Sequence, residues 1–183
     1  MTLCVNERLH IRHFTLDDAP FILRLLNDPS FITNITDKGV RSLDAARDYL
    51  RDGPIASYRK HGFGLNAVEL RHDSTPIGMC GMLKRDDLPH PDIGYALLPE
   101  FCGRGYALEA AQCVFTHHRK QHPNDPICAI VKPGNARSIH LLEKLGLRAV
   151  GTYRMVPEPA ELLLFRADPP PRADGLEDSK EHP

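Results

Sequence analysis

At 183 residues, 42% apolar and 26% charged, the chain is sized for one α/β domain able to bury about two thirds of its unfolded surface. Its 23 Lys and Arg against 24 Asp and Glu, a formal charge of -1, carry no polyanion footprint, so general nucleic-acid binding is not expected. No apolar run approaches the roughly 18 residues of a membrane span, and residues 1–14 interleave Arg8, His10, Arg12 and His13 with apolar positions, unlike the h-region of a secretory signal.

Arg8 to Phe14 alternates apolar Leu9 and Ile11 with polar neighbours and predicts a half-buried strand. Thr15 offers an N-cap for a helix carrying Phe21, Ile22, Leu25 and Leu26 until Asn27-Asp28-Pro29 ends it. A second helix starts near Ser42, carries Leu43, Ala46 and Leu50 on one face, and stops at Asp52-Gly53-Pro54; a turn or helix follows over Ile55 to Lys60. Gly64 to Leu70, Thr75 to Lys84 and Asp92 to Leu98 then predict an antiparallel meander. A helix from Tyr106 to about Lys120 carries the stripe Ala107, Ala110, Ala111, Val114 and Phe115. Pro126 to Val131 is a short strand, Asn135 to Leu145 a helix with Gly146 at its C′ position, and Arg148 to Met155 and Glu161 to Ala167 are the last two strands. Residues 168–183 hold four prolines, five acids and two bases, and read as a disordered acidic tail outside a domain of residues 1–167.

Cys4, Cys80, Cys102, Cys113 and Cys128 are odd in number and widely spaced, which predicts free thiols in the reducing cytoplasm. His117, His118 and His122 lack a nearby carboxylate and read as a solvated helix end rather than a metal site, so no metal is expected.

The informative segment is a strand, Pro99-Glu100, a Gly103-Arg104-Gly105 turn, and a helix starting at Tyr106. Backbone N–H groups at such a turn and helix start, with Arg104 beside them, can cradle a phosphate or pyrophosphate; an ordinary tight turn is the alternative. A Walker A loop is excluded because Tyr106-Ala107 follows Gly105, and a Rossmann fingerprint because a meander precedes the turn and Leu108 stands where its third small residue belongs.

Taken whole, residues Ile93 to Ala110 (IGYALLPEFCGRGYALEA) resemble the acetyl-CoA-binding motif of the GNAT N-acetyltransferase superfamily, in the branch that includes the ribosomal-protein N-terminal acetyltransferases. Asn135-Ala136-Arg137-Ser138 through Leu145-Gly146-Leu147 is similar to the family's Asn-x-x-Ala/Ser helix ending in Gly-Phe. The resemblance covers residues 7–167 and implies a single-domain α/β GNAT fold: a mixed, mostly antiparallel seven-stranded sheet with a splayed parallel strand pair and about four helices. It implies a CoA pyrophosphate on the amides of Gly103, Arg104, Gly105, Tyr106 and Ala107. Pantetheine would lie along Tyr95, Ala96 and Leu97, the splayed pair being Asp92 to Leu98 and Pro126 to Val131. Asn135, otherwise a plain N-cap, would contact the cofactor near its thiol end.

Two departures bear on mechanism. Cys102 stands where the loop motif opens with Gln or Arg, and Leu142 where many members place the Tyr that protonates the departing thiolate. Ser138, where the ribosomal-protein branch has a Ser, is the alternative donor to sulfur; the other reading is a polar residue in a first helical turn. Asp92 and Glu69 could relay the proton of the attacking amine through water, or be surface carboxylates. The expectation is an acetyl-CoA-dependent N-acyltransferase acting on a primary amine, a protein or peptide N-terminus, by direct attack in a ternary complex. The alternatives are a small-molecule amine as acceptor, or a CoA-binding regulatory module with weak chemistry. A homodimer is left open.

Overall fold

A computed structural model describes residues 1–154 and 160–170. Strands β1 (Thr2–Val5), β2 (Leu9–His13), β3 (Leu65–Leu70), β4 (Pro76–Leu83), β5 (Asp92–Leu97), β6 (Ile127–Val131), β7 (Arg148–Arg154) and β8 (Glu161–Ala167) form one sheet in the order β1-β2-β3-β4-β5-β6-β8-β7. Its eight strands exceed the predicted seven by β1, an edge strand that pairs Cys4 with Ile11 and Val5 with His10. Four residues are too short a run to show a period of two. Every neighbouring pair is antiparallel except β5 and β6.

Strand alternation sends side chains to two cores. Leu9, Ile11, Val68 and Ile93 join Ala110, Ala111, Val114 and Leu142, so α5 (Tyr106–Gln121) and α6 (Ala136–Lys144) cover that face. Leu65, Ala67 and Met79 join Ile22, Leu25, Leu26 and Leu50 on the opposite face, which α1 (Ala19–Leu26), α2 (Pro29–Asn34) and α3 (Leu43–Leu50) cover. Ala19, Ile22, Leu25 and Leu26 follow one helical stripe and are fully buried, each large side chain worth about 1.5–3 kcal/mol of transfer energy.

The helix boundaries have local causes. Ser42 Oγ accepts from the Ala45 amide (3.1 Å) and caps α3. Asn27-Asp28-Pro29 ends α1 but also starts α2: Asp28 Oδ1 accepts from the Ser30 amide at 2.8 Å, and Pro29 occupies N1, where its missing N–H costs nothing. Asp52-Gly53-Pro54 does not stop the chain's helical path either. Residues Arg51–Ile55 make a wide π-type turn into α4 (Ala56–His61), which ends at Gly62. At the end of α6 the Leu147 amide donates to the Leu142 carbonyl (3.0 Å) and that of Gly146 to Glu143 (2.9 Å), the Schellman pattern that Gly146 foretells.

Three readings need correction. Cys4 and Cys113 are not free thiols: they form a disulfide joining β1 to α5, while Cys80, Cys102 and Cys128 stay free. His118 is not on a solvated helix end but 2% exposed, its ring edge-on to Phe63 at 5.1 Å and stacked on His122. Asp92 and Glu69 are not surface carboxylates; both are buried ion pairs, described below. Residues 171–183, most of the expected tail, and Met155 of the predicted strand Arg148 to Met155 lie outside the described residues. Asp168, assigned to the tail by composition, is held on the domain, its carboxylate pairing with Arg148 (2.7 Å) and its carbonyl accepting from Arg119 (3.1 Å).

Candidate active site

Strands β5 and β6 share one registered pair, Asp92 with Cys128, and then diverge. Between them opens a cavity of about 800 Å³, bounded by Tyr95, Ala96 and Leu97 on one side and by Ala129, Ile130 and Val131 on the other. A parallel pair that parts after one rung leaves facing strand edges able to pair with an inserted amide chain.

The loop into α5 forms the far end of this cavity. Gly103 and Gly105 have φ of 76° and 82°, a backbone region that L side chains rarely adopt. Gly103, Gly105, Tyr106 and Ala107 all line the cavity, and the first-turn amides of α5, which have no helical acceptor, sit at its edge with the positive end of the helix dipole. Arg104 does not line it; its carbonyl turns outward and accepts from Arg8 Nη1 at 3.0 Å. Arg8 also donates from Nε to Glu109 (2.7 Å) and lies over the Tyr106 ring at 4.6 Å. This brace clamps both sides of the turn from the start of β2. Sequence reasoning missed it, because Arg8 lies 96 residues from Arg104.

Ser138 and Tyr95 meet inside the cavity: their hydroxyl oxygens are 2.6 Å apart. Asn135 caps α6, its Oδ1 accepting from the Ser138 amide at 3.2 Å, and it also faces the cavity. Leu142 also borders the cavity, but it is 1% exposed and packs into the core under α5 and α6. Burial pushes the Tyr95 phenol up to about 12.

The two expected carboxylates part company. Asp92 lines the cavity and receives Arg85 Nε at 3.0 and 3.1 Å; burial holds its carboxyl above the usual range despite the pull of Arg85. Glu69 is outside the cavity lining. Arg12 Nε donates to it at 2.8 Å, His10 approaches at 3.2 Å, and the same Arg12 forks onto Asp18 at 2.8 and 2.7 Å. Glu69 therefore belongs to a network that ties β2 to β3 and to the turn before α1.

Phe31, Ile35, Tyr49, Leu65 and Met79 make the opposite wall apolar, and Lys132, Arg137 and Lys144 supply positive charge near α6. Lys132 Nζ donates to the Thr33 carbonyl at 2.6 Å, linking the β6 to α6 connection with α2 across the cavity rim.

A family model described as acetyltransferase (GNAT) domain matches residues 8–148. The chain belongs to the GNAT acetyltransferase family. The uncharacterized N-acetyltransferase YnaD of Bacillus subtilis (strain 168) is 26% identical over 81% of this chain and 84% of its own. A structure of RimL, the ribosomal L7/L12 α-N-protein acetyltransferase, in complex with coenzyme A is similar in fold with a TM-score of 0.78, 14% identity, and 92% and 98% of the two chains covered. The ribosomal-protein-S5-alanine acetyltransferase from Vibrio fischeri gives a TM-score of 0.75 at 17% identity, over 92% and 96%. A GNAT acetyltransferase uses acetyl-CoA, and this cavity suits that donor: two turn glycines at positive φ beside a helix start, a strand edge, and the cations Lys132, Arg137 and Lys144 beside an 800 Å³ space. Among the described residues no helix is long and apolar enough to cross a membrane, and no group of three His, Cys, Asp or Glu is placed to hold a metal ion.

Proposed function

We propose that this GNAT acetyltransferase moves acetyl from acetyl-CoA to the α-amine of a peptide N-terminus, by direct attack in a ternary complex. The observation that carries the reading is the charge of the cavity: among the described lining residues Asp92 is the lone carboxylate, already paired to Arg85, against Lys132, Arg137 and Lys144. A polyamine or aminoglycoside brings several positive charges and would meet repulsion here. A peptide end brings one amine, which is neutral far more readily at pKa about 8 than a lysine at about 10.4, and an adjoining side chain that the apolar wall of Phe31, Ile35 and Tyr49 can receive.

In this reading the amides of Gly103 to Ala107 hold the pyrophosphate, Tyr95 to Leu97 pair with pantetheine, and Asn135 stands near its thiol end. Alternation along β5 supports the division of labour. Tyr95 packs with the core under α5 and α6, whereas Ala96 packs with the opposite core, so Asp92, an even number of residues from Ala96, faces the acceptor side. Asp92, made more basic by burial, takes the amine proton through water; nitrogen bonds to the acetyl carbon, the C–S bond breaks toward sulfur, and the thiolate leaves against Ser138. Glu69, engaged by Arg12 and His10, has no part in this step.

The test is a panel of peptides with different N-termini against polyamines, aminoglycosides and amino acids, following free thiol release and locating the acetyl group by mass spectrometry. Acetylation of peptide α-amines is expected. Exclusive turnover of small amines would replace the acceptor assignment, and tight acetyl-CoA binding with no thiol release from any amine would favour a regulatory module.

A further inference from the structure

The hydroxyl pair in the cavity has a directional problem that its surroundings resolve. A serine has one proton to donate, so Ser138 can serve a leaving sulfur only if that proton is not spent elsewhere. The helix end does not need it: the Ser138 amide already donates to Asn135 Oδ1. The remaining polar neighbour is Tyr95 Oη, whose one proton has two acceptors on Ser138, Oγ at 2.6 Å and the backbone carbonyl at 3.3 Å, and the much shorter contact favours Oγ. The phenol is held on a strand, 43 residues away in sequence, and carries its proton throughout the neutral range, burial raising its pKa further above the ordinary 10.

We propose that Tyr95 is a positioning residue: its Oη–H donates to Ser138 Oγ and thereby turns the single Ser138 proton toward the sulfur of CoA. This rests on the acetyl-transfer reading above, which brings the thiol end to Ser138. The chain Tyr95 Oη–H to Ser138 Oγ–H to sulfur strengthens as negative charge arrives, because a hydroxyl that accepts a hydrogen bond becomes a better donor. No proton need leave Tyr95. The C–S electron pair moves to sulfur, the Ser138 hydroxyl stabilises the thiolate, and the proton that neutralises it is the one lost by the attacking nitrogen, so amine and acetyl-CoA balance amide and CoA thiol. The arrangement also accounts for Leu142. A phenol projecting from that place on α6 would duplicate one already delivered from β5, and an apolar side chain there completes the core instead.

The experiment compares wild type, Tyr95→Phe, Ser138→Ala and the double variant, all as full-length folded protein. Tyr95→Phe keeps the ring and its packing. The first readout needs no acceptor: the thiol pKa of bound CoA, followed by the ultraviolet absorbance of the thiolate. Both single variants are expected to raise it by about one unit relative to wild type, since hydrogen bonds to a charged form favour that form. The double variant is expected to match Ser138→Ala. The second readout is turnover with a peptide amine. Tyr95→Phe is expected to lower kcat about tenfold with KM for acetyl-CoA within about twofold, and to have no further effect once Ser138 is Ala. An unchanged thiol pKa in Tyr95→Phe overturns the proposal; so does a Tyr95→Phe effect that persists in full beside Ser138→Ala, which would put the phenol itself on sulfur. Should wild type turn over no amine, the acceptor reading fails, and the thiol measurement still decides Tyr95.

Discussion

The two ends of α5 are built for opposite purposes. Its N-terminal end is open: two glycines at positive φ strip side chains from the turn, and amides with no helical acceptor line a cavity. Its C-terminal end is closed, because His118 in the last turn is sealed under Phe63 and beside His122. A helix C-terminus favours a cation by about 0.3–1 kcal/mol. Here burial drives the His118 pKa down to about 4 from 6.5, a penalty on the charged form several times the dipole's reward. The contrast teaches that the dipole decides function only where the end is left unsatisfied and solvated; at a packed end desolvation wins.

The largest effect is expected between the ends. Replacing Cys4 and Cys113 by Ser releases a cross-link spanning 109 residues, and should lower unfolding free energy by about 2–4 kcal/mol while leaving acetyl-CoA affinity nearly unchanged. Denaturant titration of oxidised and reduced protein checks it; equal midpoints would show that the link contributes nothing in solution. At the open end, Gly105→Val puts a β-branched side chain at φ 82° and should weaken acetyl-CoA binding by well over tenfold, about 2 kcal/mol. Unchanged affinity by calorimetry in a folded variant would reduce the loop to an ordinary turn.

At the closed end the readout is pH. A histidine whose folded pKa is depressed is stabilising while neutral, so its contribution is whole above the unfolded value of 6.5 and is lost as pH falls toward 4. Between pH 7.5 and pH 5 this costs about 2 kcal/mol, and His13, depressed chiefly by burial as well, works in the same direction. His118→Phe should flatten the fall of melting temperature over that window. A profile as steep as wild type would move the acid sensitivity elsewhere. The smallest effect is that of the brace. Arg8→Ala removes the partners of the Arg104 carbonyl and of Glu109 and should weaken acetyl-CoA binding about fivefold, near 1 kcal/mol, with kcat little changed; a kcat loss without a KM change would contradict a role in holding the loop.

What the sequence discloses and what it hides divide along contact distance. The meander, the glycine loop before α5 and the Asn135 to Gly146 helix are legible because each is coded by residues within a few positions of one another. The Schellman end at Gly146 and the cap at Asn135 are local chemistry in the same sense. Arg8 on Arg104, Tyr95 on Ser138, and Cys4 on Cys113 are hidden because each pair meets only after the sheet has formed. Asp92 and Glu69 look alike in the sequence, both acids at strand ends; only strand order shows that one borders the splay and the other faces Arg12. Pro29 and Pro54 mislead for a different reason. A proline ends one helix and is equally at home in the first turn of the next, or in a wide turn whose ring of hydrogen bonds spares its nitrogen.

The single rung between β5 and β6 also has a mechanical meaning. The sheet's backbone ladder thins to a single registered pair at this seam, Asp92 with Cys128, so that β6, β8 and β7 are held to the other strands by side-chain packing and a few polar contacts such as Lys132 on Thr33 more than by strand pairing. A molecule laid in the seam touches both sides and acts as a removable fastener. Because it binds the folded chain alone, it adds RT ln(1 + [L]/Kd) to stability, about 2.7 kcal/mol at a hundred times Kd. Under the proposed placement of the donor in this seam, the loaded protein is the more stable one and release of CoA gives that increment back.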